Sequence, residues 1–430
     1  MKEIFTKLKF VFTDPVLRKK ILFLLGMILV FRLFSAIPVP GINQEAVKNF
    51  FSENNYLGVV NLFSGGGLQK MSIVMLGVMP YITASIIMQV LEMAFPRIKE
   101  MKKEEGEAGR RKIANISRVM SVFIAGISAF GFMHLLQTYH ILPQLSAFQM
   151  TTNVIIAVAG AVFLMWIGEL ISEFGIGNGL SLIIFAGIIA SAPGILGQAY
   201  DAVMKDKTLI PVVLGIFAFL LVLIYLIVYV TEAERPVPIH QTAMVRAGEK
   251  AQTIQTFLPI KLNQAGVIPI IFAISILMFP KMIFGFLTSM HLITKDNWFH
   301  YVVDFLNQPI YQGIIYFILV FLFTFFYTAV TFDPKEMAEN LQKAGNIIPG
   351  IRPGEDTEDF LGKITTRVTF IGAVFLGLVA VLPMIIGGLT GLQYLGIGGT
   401  SILIVVSVGI DLIRKINAQI SVREYLNSVK

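Results

Sequence analysis

The sequence predicts an all-α bundle of ten membrane-spanning helices, and three observations carry that prediction. Hydrophobic residues make up 55% of the 430 and charged residues only 14%, with a mean hydropathy of +0.76. That is far too little polar surface for a soluble protein of this size. Apolar runs of about 20 residues, the length that crosses a hydrocarbon core, begin near Ile21, Met71, Val119, Asn153, Leu180, Ile210, Ala265, Ile310, Val368 and Gly398. Finally, Lys and Arg concentrate in alternate connections between those runs, as the positive-inside rule demands.

A basic, amphipathic stretch, residues 1–20, precedes the first run. No small-residue cleavage site follows Ile21 to Ile37, so this run is expected to stay as a span. Arg32 lies inside it and is expected to snorkel or to pair with another helix rather than to hold a substrate. The next feature is Asn61-Leu62-Phe63-Ser64-Gly65-Gly66-Gly67, half polar and glycine-rich, which runs through Gln69 and Lys70 into the apolar segment Met71 to Leu91 with no solvent-type loop between. A helix broken at membrane depth reads this way. Unpaired backbone facing lipid costs several kcal/mol per group, so such a break survives only beside protein or a water-filled cavity. Residues from about 57 to 70 are therefore expected to block a path, and the segment after them to form part of its wall.

Spans four and five are joined by Gly175-Ile176-Gly177-Asn178-Gly179, a tight hairpin; a nucleotide fingerprint would need a strand before it. A polar stretch carrying Lys205-Asp206-Lys207 then divides the ten spans five and five. A five-span unit that repeats must cross the membrane in the opposite sense, so the halves, 1–200 and 201–430, are expected to be an inverted pair with a site between them near the midplane. Longer connections follow spans six and eight, at about 232–261 and 332–367.

The net charge of +7 has a topological explanation. Of the 34 Lys and Arg residues, 27 fall on the face that holds both termini, six on the opposite face, and Arg32 completes the count. The termini and the basic loops are accordingly expected in the cytoplasm, with the spans in the plasma membrane. No nucleic-acid sequence is expected to be read.

Catalytic chemistry finds little support. Zinc-protease, nucleophile-elbow and phosphate-loop motifs are missing from the sequence, there is no cysteine, and the five histidines lack metal-ligand spacing. No enzyme activity, metal or cofactor is expected. Glu92, Glu169, Glu173, Glu232 and Asp411 fall at the ends of predicted spans, which leaves little for a proton relay. A secondary transporter stays as the alternative, since transporters also use inverted repeats and broken helices. Branched residues four apart, Val78 with Ile82 and Ile184 with Ile188, each share a helix face.

Several long motifs occur in register along the chain. They are Asn61 to Gly66, Gly77-Val78-Met79-Pro80-Tyr81-Ile82-Thr83-Ala84-Ser85-Ile86-Ile87, Gly175 to Gly179, Asn263-Gln264-Ala265-Gly266-Val267-Ile268-Pro269, Pro349-Gly350-Ile351-Arg352-Pro353-Gly354 and Gly398-Gly399-Thr400-Ser401. Together they closely resemble the SecY family, the channel subunit of the Sec protein translocase. The resemblance implies an hourglass pore between two five-helix halves, which passes unfolded secretory proteins and releases apolar segments sideways into lipid.

It also implies roles by position. Asn61, Leu62, Phe63, Ser64, Gly65, Gly66 and Gly67 would form the core of a re-entrant plug. Val78, Ile82, Ile184, Ile188, Ile271 and Ile404 would form a constriction ring, with Val78 one methylene smaller than the isoleucine usual there. Thr83, Ile86 and Gln89 would face Asn263, Gln264, Ser275 and Phe279 across a lateral gate. Arg246, Lys250 and Arg352 would dock the SecA motor ATPase or the ribosome, although Arg246-Ala247-Gly248-Glu249-Lys250 departs from the adjacent basic pair of many relatives. SecE-like and SecG-like small subunits, signal peptides, unfolded preproteins and membrane lipid are the implied partners.

Overall fold

The computed structural model describes residues 14–39, 64–95, 105–138, 146–241, 254–289, 308–390 and 398–428, with a few isolated positions between them. It is a helical bundle. Helix α1 (Pro15–Ala36) starts on an Asp14 cap whose carboxylate accepts from the amides of Val16 and Leu17. It is followed by α2 (Met79–Ala94), α3 (Glu107–Thr138), α4 (Ala147–Phe174) and α5 (Gly179–Lys205). The second part of the chain holds α6 (Ile210–Glu232), α7 (Ile268–Ser289), α8 (Pro309–Thr331), a short amphipathic α9 (Pro334–Lys343), α10 (Glu355–Thr390) and α11 (Gly398–Ser428). Among the described residues six helices, α3 to α6, α8 and α10, are long and apolar enough to cross a membrane.

Several helices outrun their apolar stretches at one end. Helix α3 begins at Glu107 rather than Val119, and α10 at Glu355 rather than Val368, because backbone hydrogen bonding continues into water where composition changes. Helix α2 departs in the other sense. Residues 64–78 form successive turns, and regular helix begins at Met79, not Met71. Positive φ at Met71 (47°) and Gly77 (60°) breaks the helical path, while Pro80 occupies the first turn of α2, where its missing N–H costs nothing.

A three-stranded antiparallel sheet, ordered β2-β1-β3, was not expected from the sequence. Strand β1 (Glu234–Gln241) pairs along its length with β2 (Ile254–Lys261), and its end pairs with β3 (Asn346–Ile347). Val237, Ile239 and Ile260 pack there with Leu341 of α9 and Leu361, Ile364 and Val368 of α10, making a small core outside the main bundle.

Within the bundle α2 lies on α3, α3 on α4, and α4 on α5, while α7 packs against α2, α3 and α8. The largest buried cluster draws side chains from α1, α4 to α8, α10, α11 and the turns before α2. Helix α6 instead turns Leu214, Phe217, Leu221, Tyr225 and Tyr229 outward, a face that suits a hydrocarbon solvent rather than water. The start of α1 meets the end of α11 at the α4–α5 turn through Leu17, Ile176 and Ile420.

Candidate functional site

The site is built where the broken segment crosses the bundle. Its root is pinned to the end of α1: the Val39 amide donates to the Met71 carbonyl oxygen at 2.8 Å and the Ile73 amide to that of Ile37 at 3.0 Å, around an isolated Pro38–Ser72 bridge. The tip is shaped by its polar residues. Ser64 Oγ donates to the Asn61 carbonyl oxygen at 2.9 Å and accepts from the Leu68 amide at 2.9 Å. The Asn61 side chain accepts from the Gln69 amide at 2.8 Å and donates to Gln69 Oε1 at 3.1 Å. These bonds satisfy turn backbone that has no ladder to join.

Glycine lets the tip sit close. A Cβ on Gly65, which has φ +67°, would lie 2.5 Å from Phe31 Cζ of α1 and 3.1 Å from Gly187 Cα of α5. One on Gly66 would lie 3.7 Å from Ser191 Oγ, one turn along α5. On the outer side Leu68, Met71, Met75 and Leu76 pack with Ala125, Ala129, Met133 and Leu136 of α3 and Ala157 and Ala161 of α4. Of the plug residues assigned from the sequence, Leu62 and Phe63 lie outside the described residues.

All six residues assigned to the ring meet in the largest cluster. Val78, Ile184, Ile188, Ile271 and Ile404 are buried, none more than 8% exposed, and Ile82 is half-buried against them. They come from four elements. Val78 precedes α2 and its carbonyl oxygen accepts from the Ile82 amide at 3.1 Å; Ile184 and Ile188 stand one turn apart on α5, Ile271 is on α7 and Ile404 on α11. Gly187, against which the tip rests, is the neighbour of Ile188. The glycine-rich tip therefore abuts this apolar cluster directly.

The seam residues also lie on elements in contact, since α7 packs on α2 and α3. Asn263 and Gln264, however, belong to the turn before α7 rather than to the helix. Among the described residues Gln89 Oε1, Asn263 Oδ1 and Gln264 Oε1 are buried without a hydrogen-bond partner, whereas Thr83 and Ser275 donate back to the Met79 and Ile271 carbonyl oxygens of their own helices. Ile86 is buried; Phe279 falls within α7, and its side chain lies outside the described residues.

Arg352 is exposed on a turn fixed by Gly350 (φ 79°), Gly354 (φ 104°) and a 2.8 Å bond from Thr357 Oγ1 to the Arg352 carbonyl oxygen. Arg246 and Lys250 lie outside the described residues. Carboxylates near span ends have structural partners: Glu169 pairs with Arg118 at 2.7 Å, Glu232 with Arg414 at 2.8 Å and Asp411 with Lys415 at 2.7 Å. Among the described residues no group of three or more His, Asp or Glu residues is arranged to hold a metal ion. Arg32, read from the sequence as snorkelling or paired with a helix, instead donates to the glycine-rich tip, from Nη1 to the Gly65 carbonyl oxygen.

The SecY family model matches residues 72–413. The protein translocase subunit SecY of Staphylococcus epidermidis is 38% identical over 424 residues, covering 96% of this chain and 97% of that one. The fold is similar to a solved protein-conducting channel, with a TM-score of 0.66 at 19% identity over 94% of this chain and 93% of the other. It is similar as well to Sec61 in the canine ribosome–channel complex from the endoplasmic reticulum, with a TM-score of 0.65 at 18% identity and the same coverage.

Proposed function

This chain belongs to the SecY family and is a multi-pass membrane subunit of a protein translocase; from that premise we propose how its residues conduct a polypeptide. The supporting observation is that Val78, Ile82, Ile184, Ile188, Ile271 and Ile404 all join one buried apolar cluster, with the glycine-rich tip seated beside it; we read these six as the neck. Branched apolar side chains disfavour water and ions in a narrow neck and seal it by dewetting. They also offer no hydrogen bonds, so an unfolded chain of any sequence slides past. A selectivity filter needs the opposite chemistry.

Residues from about 57 to 70 act as the plug, which leaves the neck when a chain enters. The α2–α3 and α7–α8 seam acts as the lateral gate. Its buried amide oxygens at Gln89, Asn263 and Gln264 make the closed seam only modestly stable, so that a signal helix of about 20 apolar residues replaces it. The inverted halves 1–200 and 201–430 rock about this neck.

The channel has no motor of its own in this reading. Arg352, held outward on its turn, and the β1–β2 connection bearing Arg246 and Lys250 dock SecA or the ribosome, and SecE-like and SecG-like subunits brace the bundle. The basic face with both termini lies in the cytoplasm. Family membership favours this reading over a secondary transporter. Site-specific crosslinking tests it: with a secretory precursor stalled in transit, a probe at Ile188 should meet the mature chain and one at Phe279 the signal segment. If neither probe meets the precursor during active export, the neck and gate assignments fail.

A further inference from the structure

Arg32 is the one charged residue of α1 after Lys20, and its partner is the segment read here as the plug. Arg32 is half-buried one turn before the helix ends at Ala36, beside Phe31, which is 1% exposed. Arg32 Nη1 donates to the Gly65 carbonyl oxygen at 2.7 Å, the length of a charge-assisted bond. Among the described residues no carboxylate lies within ion-pair distance of it. The Gly65 carbonyl oxygen in turn accepts none of the described turn and loop backbone bonds, although the neighbouring oxygens of Ser64, Gly66 and Gly67 all do.

The fit depends on both residues. A cation inside a helical bundle must find a carbonyl, a carboxylate or water, and the guanidinium is always charged and rigid enough to aim at one oxygen. Gly65 presents that oxygen because φ +67° suits glycine and because any side chain there would strike Phe31 and α5. Lifting the tip breaks this bond, its one polar tie to α1; its approaches to Phe31, Gly187 and Ser191 are apolar or slight, and Leu68 packs on the outer side by apolar contact alone.

We propose that Arg32 is the latch that holds the channel shut, a positioning residue acting through the Gly65 carbonyl. The proposal rests on the reading of residues from about 57 to 70 as the plug. Losing one charge-assisted bond should raise the population with the tip displaced roughly ten- to a hundredfold.

Ion flux through the purified, reconstituted complex without substrate tests it. Arg32→Met should raise resting flux by about that factor, and Arg32→Lys, which keeps the charge but not the reach, by less. The chain has no cysteine of its own, so the pair Gly66→Cys and Ser191→Cys adds the only thiols. Oxidising that pair in the Arg32→Met background should restore tightness, with the reduced pair as control. Flux equal to the unmodified channel in Arg32→Met overturns the latch. So does a leak that persists after the disulfide forms, because Arg32 would then be holding α1 rather than the tip. A variant lacking residues 64–70 separates the two levels: if it leaks while Arg32→Met stays tight, the latch alone fails, and if it too stays tight the plug reading fails with it.

Discussion

Truncating two ring residues on one helix tests whether the neck is a seal or merely a core. Ile184 and Ile188 are 2% and 8% exposed and stand one turn apart on α5, a rise of about 6 Å. Changing both to alanine removes three carbons from each, and at about 0.8 kcal/mol per buried carbon the pair loses roughly 5 kcal/mol of apolar contact. Alanine keeps the helix, whereas glycine would weaken α5 by about 1 kcal/mol per site. If a third of the lost contact is expressed as easier wetting of the lane, the wetted state gains about tenfold. Resting ion flux in reconstituted bilayers should therefore rise at least tenfold. Ile171→Ala is the control: Ile171 is fully buried in the same cluster but packs at the α4–α5 turn beside Gly175 and Gly179. It should cost about half as much stability, without a leak. A double variant that stays tight, or an Ile171→Ala channel that leaks as much, would refute the dewetting argument.

Four further outcomes are expected. Arg352→Glu should leave the protein inserted and folded yet cut export at least about tenfold, the effect of a like-charge contact at a docking surface; normal secretion would return Arg352 to a solvated loop residue. Asn263→Leu, which removes a buried amide oxygen lacking a partner among the described residues, should favour the closed seam by about 1 kcal/mol and slow membrane insertion of apolar segments about fivefold in a pulse-chase assay. Gly179→Ala would place a methyl against the Gly168 carbonyl and Ile171, so thermal stability should fall by roughly 1–3 kcal/mol. At the α5–α6 junction the Asp206 carboxyl lies below its usual 3.8, held there by the Thr208 hydroxyl and then its amide. A lowered carboxylate stabilises the fold above its usual pKa and ceases to as pH falls through the folded value; amide exchange around 206–210 should quicken only below about pH 4, and Asp206→Asn should abolish that step.

Helices were legible because a span writes itself as an unbroken apolar run, and α4, α5, α6 and α8 begin within a few residues of where composition changes. The start of α2 was not. Met71 to Val78 is as apolar as the helix after it, and the break depends on φ at Met71 and Gly77, which hydropathy does not record. Strands β1 and β2 were hidden for another reason. Pro236, Pro238 and Pro259 argue against pairing in any propensity reading, yet Pro236 faces Pro259 in the register. Helical spacing placed Val78 with Ile82 and Ile184 with Ile188, but nothing local joined them to Ile271 and Ile404, which come from distant parts of the chain. Arg32 carried the clearest signal of all, a charge within an apolar run. Its partner was unreadable, since a turn carbonyl leaves no trace in a sequence.

With the glycine-rich tip as the proposed plug, its pinned root would govern how fast the membrane barrier returns after each passage. Strand-like bonds hold residues 37–39 to 71–73, so Gly65 hangs from Ser72 by seven residues, no more than about 25 Å fully extended. A stopper on so short a leash stays at roughly millimolar effective concentration over its seat. Closing a loop of this length takes about 10–100 ns, so resealing is a unimolecular step, and the ions lost per transported chain are set by how long that chain occupies the neck.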